Sequence, residues 1–480
     1  MSTSSFAESA GTASPGLGVA PYRLRWIVLA VVLAGQCMDL MDATIVNVAD
    51  PSIRVALGGA ASTLQWYSAA YTLVFSVLLV TGARLGDIFG RRRLFLVGSA
   101  GFIVASAACA LATSPSILIA FRAIEGGFAA LLIPQGFGML KEVFPEEEMS
   151  TVFSAYGPVL GLATLVAPIL AGVLIDANLW GTGWRMVFLI NVPVGLFAFL
   201  TALKVLPRGA THSGTRLDVP GMFLVGGAFA AIIYPLIQGR AAGWPTWTFG
   251  LLAAGVVLLG VFVLYQQRRR QSPLIELGLL HNRTYLSGIA VGLAFFGAFS
   301  GLLLVVSLFC QLGEHFSAIH AGLTLIPMTI GMLAGMGLSY ALAAKIGRHL
   351  LHIGIALLAA GAVALALTVT GAHFATTWML APSLFVIGVG AGSCFGKLFD
   401  FTLAGVAMNE VGSASGILTA VQELAMAVGV AVLGTVFFSR FAHSLPTDAL
   451  ATTAWACLVP AVLAFLLVFL LPMQAREDLP

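Results

Sequence analysis

Residues 82–93 read Gly82-Ala83-Arg84-Leu85-Gly86-Asp87-Ile88-Phe89-Gly90-Arg91-Arg92-Arg93. Glycines, one acid and a run of arginines lie here at the end of one long apolar stretch and the start of another. Glycine lets a chain turn tightly and lets two helices approach closely. Asp87 can pair with the arginines or face the positive N-terminus of another helix. A loop that only sets topology accounts for the arginines. It does not account for Gly82, Gly86 and Gly90 at this spacing around Asp87.

Outward from this loop the chain is apolar almost throughout. It holds 23 basic and 20 acidic residues in 480, so 9% are charged, against about 25% in an ordinary soluble domain. The hydrophobic set is 59% and the mean hydropathy +1.00. So few charges cannot cover a soluble protein of this size, which excludes a soluble enzyme, a nucleic-acid binder and a disordered chain. An all-α polytopic membrane protein remains, with spans of about 20 apolar residues each. The apolar stretches predict fourteen of them, near 26–49, 63–85, 94–112, 116–140, 151–175, 185–205, 218–238, 247–266, 286–311, 321–344, 350–370, 376–402, 413–438 and 449–471.

Basic residues set the expected orientation. With the N-terminus inside, sixteen fall in inner segments and four (Arg54, Arg185, Arg240 and Arg440) in outer ones. Both termini are therefore expected in the cytoplasm. Residues 1–22 are Ser/Ala/Gly-rich and read as a disordered cytoplasmic tail. They do not read as a signal peptide, because the apolar run from Trp26 continues past Asp39. Residues 473–480 read as a second tail. The breaks at 207–217 and 268–284 are short and basic, and the first reads as a linker between two halves. The five cysteines lie inside apolar stretches without metal spacing and read as small core residues.

The Gly82–Arg93 loop resembles the signature loop of the major facilitator superfamily. Four further stretches narrow the resemblance: Met41-Asp42-Ala43-Thr44-Ile45-Val46-Asn47-Val48-Ala49; Gln65-Trp66-Tyr67 with Tyr71; Arg122-Ala123-Ile124-Glu125-Gly126-Gly127; and Trp184-Arg185 through Asn191-Val192-Pro193. In this order they look like the fourteen-span drug:proton antiporter family, strongly over 25–205 and in outline beyond. The resemblance implies a six-helix bundle over 23–206, a linker with two extra helices over 207–284, and a second six-helix bundle over 285–472. It also implies alternating access around a central cavity. Span five carries Gly157-Pro158, Gly161, Pro168 and Gly172. It is similar to the family's antiporter helix, with Ala167 and Ala171 where glycine is usual. Gly and Pro bend such a helix and let a neighbour come close.

Charge inside a bilayer is costly, so intramembrane acids and bases are functional candidates. Asp39 and Asp42 lie 13 and 16 residues past Trp26, about 20 and 24 Å along a helix. Arg122 and Glu125 on span four reach similar depths from the other side, so the two pairs can meet. Burial and a neighbouring arginine act in opposite directions on a carboxyl's hold on its proton, which suits a proton site. The resemblance assigns the motif acid to Asp42 and the motif arginine to Arg122, and implies a site role for Asn47. Glu125 stands where the family usually has Gln. Asp50 stands where it usually has Leu, and is expected to be solvated at the outer end. Glu423 falls near the middle of span thirteen as a second coupling or substrate acid. Lys397 and Asp400 are expected as a salt bridge at the inner end of span twelve.

No nucleophile–base motif, P-loop or Rossmann glycine pattern is present in the sequence. The expectation is a transporter without cofactor or metal in a bacterial plasma membrane, monomeric and embedded in lipid. It would export amphipathic small molecules by exchange for protons, from a cavity lined by Tyr71, Phe295, Phe296 and Phe299. Export of a single self-made antibiotic or metabolite, and proton-coupled import, remain as alternatives, with a non-transporting membrane sensor as the remote one.

Overall fold

The computed structural model describes residues 22–207, 218–269, 277–406 and 411–474. The expected tails, except Tyr22, Met473 and Gln474, lie outside the described residues, as do 208–217 of the first basic break and 270–276 of the second. The architecture is all-helical. The first group of helices is α1 (Arg25–Leu57), α2 (Ala61–Phe89), α3 (Arg91–Ala110), α4 (Pro115–Val143), α5 (Glu146–Ala177), the short α6 (Met186–Leu189) and α7 (Asn191–Val205). Next come α8 (Val219–Ala241) and α9 (Thr246–Arg268). After the short α10 (Leu277–His281), the last group is α11 (Arg283–Leu308), α12 (Ala318–Thr324), α13 (Ile326–Ile346), α14 (His349–Val369), α15 (Thr377–Leu403), α16 (Val411–Phe441) and α17 (Pro446–Val468).

Twelve helical segments among the described residues are long and apolar enough to cross a membrane. Helices α2 and α5 are not among those twelve and run for 29 and 32 residues. Polar breaks start several helices by capping. The side chains of Ser114, Asn282, Ser317 and Thr376 accept hydrogen bonds from the first turns of α4, α11, α12 and α15.

Helix α1 was expected to end at residue 49, before Pro51, but it continues to Leu57. Pro51 has no N–H, so it leaves the carbonyl four residues back without its helical donor. That carbonyl belongs to Asn47, and Ser307 Oγ of α11 donates to it at 3.0 Å. A neighbouring helix thus supplies the missing bond, as bilayer-spanning proline helices require.

Helices α1 to α7 pack on one another, and so do α11 to α17, while α8 pairs with α9 and touches both α2 and α16. Asp218 ties this pair together just before α8. Burial raises the Asp218 carboxyl, but hydrogen bonds from Gln266 Nε2 (2.7 Å), the Gly221 N–H (3.0 Å) and the Tyr265 hydroxyl (2.9 Å), with Arg269 at 3.3 Å, hold it below the ordinary carboxylate range.

Candidate functional site

Four helices converge on Arg122 of α4, whose side chain is fully buried. Its Nη1 donates to Asp42 of α1 and, at 2.7 Å, to Oε2 of Glu125. Its Nε donates to the Tyr67 carbonyl of α2 at 3.0 Å, and its guanidinium lies 4.4 Å over the Tyr71 ring. Asn191, at the start of α7, donates to Asp42 Oδ1 and Ser106 Oγ, both at 3.0 Å. The Cys109 thiol donates to Glu125 Oε2 at 3.4 Å. One guanidinium therefore serves two buried acids, with Asn191 holding the second oxygen of Asp42.

Asp39 takes a different direction. Three residues along a helix of 3.6 per turn leaves its side chain about 60° from that of Asp42. It accepts the Tyr71 hydroxyl proton and faces a central cavity of about 1160 Å³, open mouth included. Glu423 of α16 lines the same cavity, together with Asn47, Ser68, Pro168, Thr329 and Met332. Ser68 Oγ donates to Asn47 Oδ1 at 3.0 Å. The structure thus divides the expected acids. Asp39 and Glu423 share the cavity, while Asp42 and Glu125 share Arg122 behind its wall, and Tyr71 touches both sets.

The expected aromatic lining is corrected in part. Tyr71 and Phe299 line the cavity, whereas Phe295 and Phe296 do not. Phe395 of α15 sits over them, with ring centroids 6.2 and 5.0 Å away, and takes their place at the wall. Asp50 is not solvated: its side chain is 0% exposed, because the chain after it stays helical and keeps it inside the bundle. Lys397 and Asp400 do pair, at 2.7 Å.

Around the 82–93 loop, Gly82 and Gly86 press against α4 so closely that an added methyl would overlap the Ala130 carbonyl and the Gln135 side chain. Gln135 Nε2 donates to the Gly82 carbonyl at 2.8 Å. Gly90 joins α2 to α3 with φ of 92°, a left-handed conformation that favours glycine. Arg91 pairs with Glu142 at 3.4 Å, and Arg92 donates to the Leu203 carbonyl at 2.6 Å. The side chain of Asp87 lies outside the described residues, as do the surroundings of Gly157 and Gly161.

The two groups of helices meet at the end that carries Gly58. There Gln65 Nε2 donates to the carbonyls of Val430 (3.2 Å) and Ala431 (3.1 Å). Ser307 holds Asn47, and the Ile319 N–H donates to Asp176 at 3.0 Å. Gly172 lies directly against the Ile319 backbone, and Gly322 against the Pro168 carbonyl. The missed site residues are Asn191, Ser68, Gln65 and Phe395. Asn191 and Gln65 stand in motif stretches, which was the available signal. Ser68 and Phe395 gave none, since each is defined by what faces it.

Residues 32–430 match the model of the Major Facilitator Superfamily. The chain is 47% identical, over 89% of its length and 74% of the relative's, to a probable actinorhodin transporter of Streptomyces coelicolor. It is 35% identical to a puromycin resistance protein of Streptomyces alboniger, over 86% of this chain and 82% of that one. It is 31% identical to a tetracenomycin C resistance and export protein of Streptomyces glaucescens, over 93% and 82%. Among solved structures, a POT family transporter in complex with 5-aminolevulinic acid superposes with a TM-score of 0.69 at 15% identity, covering 93% of this chain and 96% of that one. At that identity the likeness bears on the fold alone.

Proposed function

The chain belongs to the Major Facilitator Superfamily, and on that premise we propose that it exports amphipathic small molecules, antibiotics among them, in exchange for protons by alternating access. The observation that carries this reading is the cavity flanked by Asp39 and Glu423, with the Arg122–Asp42–Glu125 cluster behind Tyr71. Two acids in one cavity can hold protons or a cationic substrate in turn. The aromatic and methionine walls suit an apolar body. The names of the three relatives, a probable transporter of actinorhodin, a puromycin resistance protein and a tetracenomycin C resistance and export protein, support the same reading.

We also propose fourteen spans. At about 1.5 Å per residue, α2 and α5 reach about 44 and 48 Å, more than a hydrocarbon core of about 30 Å. They join the twelve already counted. We assign 23–206 and 285–472 to two six-helix bundles, with α8 and α9 within the segment 207–284. The protein then works as a monomer in a bacterial plasma membrane with both termini cytoplasmic, and its cross-bundle contacts close the outer end. A single-product exporter is the second reading, favoured by the 47% identity to a probable actinorhodin transporter.

Everted vesicles with an acid interior and a fluorescent pH probe test the proposal. Adding cationic, neutral and acidic antibiotics should release protons in wild type and fail to do so in Asp42→Asn. Release unchanged in Asp42→Asn would remove Asp42 from the proton site. Absence of release with every compound in sealed, active vesicles would refute broad antiport.

A further inference from the structure

We propose that Asp50 is a second proton-binding site of this chain, near the Gly58 end of α1, and that it shares Arg122 with Asp42 and Glu125. Its side chain is 0% exposed, and neither carboxyl oxygen has a hydrogen-bond partner among the described residues. A buried acid with a structural task acts through its bonds, and Asp50 has none there. Its neighbours on α1, Val46, Ala49 and Ile53, belong to the apolar cluster that also holds Leu64, Tyr67 and Trp184. An unbalanced charge is disfavoured in such surroundings, so Asp50 holds a proton unless a cation comes to it.

The polar groups around it suit that exchange. Arg122 of α4 reaches this region through its Nε bond to the Tyr67 carbonyl, and Tyr67 of α2 belongs to the same apolar cluster as Val46, Ala49 and Ile53. Tyr67 Oη, Trp184 Nε1, Arg122 Nη2 and Glu125 Oε1 are each buried without a hydrogen-bond partner among the described residues. Counting from the helix ends, Asp50 lies 8 residues inside Gly58 and Arg122 lies 7 inside Pro115, about 12 and 10 Å deep. The arginine backbone is therefore level with Asp50, while Nη1 is drawn deeper to Asp42 and Glu125. The Asn47–Ser307 bond sits one turn from Asp50, so parting the bundles there alters its surroundings.

Asp50 binds a proton from the Gly58 side and later releases it. The proton is taken up by the Asp42 or Glu125 carboxylate, which becomes neutral and loosens its hold on Arg122. The guanidinium then pairs with the Asp50 carboxylate. This route rests on the proton-coupled reading above, whereas proton binding at Asp50 does not depend on it.

The test uses the full chain in lipid nanodiscs and infrared difference spectra after a pH jump. The carboxylic C=O band of one acid should vanish in Asp50→Asn, and Asp50→Leu should show the same loss while keeping the wild-type unfolding temperature. An unchanged set of carboxyl bands would overturn the proposal. If neither variant folds, wild-type protein is treated with dicyclohexylcarbodiimide, which modifies protonated acids in apolar surroundings, and its peptides are mapped. Adducts at Asp50 that grow as pH falls support the site; their absence at every pH overturns it. Vesicles of wild type that release no protons with any substrate would defeat the antiport reading while leaving the infrared result to decide Asp50.

Discussion

Asp42 and Arg122, 80 residues apart in the chain, form an ion pair in which both side chains are 0% exposed. Removing the arginine strands two buried acids, since Glu125 depends on the same Nη1. Arg122→Ala is expected to cost about 3–5 kcal/mol, read as a lower unfolding temperature in detergent. Arg122→Lys keeps the charge but cannot serve Tyr67, Asp42 and Glu125 together, so it should fold better than Ala and still fail to transport. A Lys variant with wild-type transport would show that charge alone suffices.

Glu423 shares the cavity with Asp39 but not its Tyr71 partner. Glu423→Gln keeps shape and removes the acid. Binding of tetraphenylphosphonium should weaken by about tenfold or more, the scale of about 1.4 kcal/mol. Binding of a neutral aromatic antibiotic should change little. Equal losses for both, measured by tryptophan quenching, would mean that Glu423 shapes the cavity without selecting charge.

At Gly172 an added Cβ would come within 2.7 Å of the Ile319 nitrogen and the Ala318 carbonyl oxygen. Gly172→Leu should therefore hold the bundles apart at the Gly58 end while each still folds. Spin labels at the exposed Leu179 and Phe374 should report a longer distance in the variant, with transport lost. An unchanged distance would mean that α12 yields instead.

Asp218 supplies a pH dependence outside the spans. Its folded carboxyl is held below the ordinary 3.8, so the unfolded state binds its proton first as pH falls. The Asp218 contribution to stability is thus present above the ordinary carboxylate value and lost as pH drops through the folded one. Asp218→Asn should loosen the α8–α9 pair at neutral pH and make less difference in acid, followed by thermal unfolding across pH. An equal effect at all pH values would assign Asp218 a neutral hydrogen-bonding role.

By itself, the sequence determined that the chain is a succession of long apolar helices, roughly where they begin, and that Asp42 and Arg122 lie at one depth. The physical reason is that a membrane of given thickness demands runs of a given length and makes every buried charge conspicuous. Asp42 and Arg122 could be paired by depth alone, because helical rise is constant. Rotation about each helix was settled by packing across helices. Only the tertiary structure sent Asp39 to Tyr71 and the cavity while Asp42 turned to Arg122 and Asn191. It also put Phe395 over Phe295 and Phe296, carried α1 through Pro51 on a bond from Ser307, and buried Asp50. Those outcomes depend on partners distant in the chain, and local residue patterns hold no record of which partner arrives.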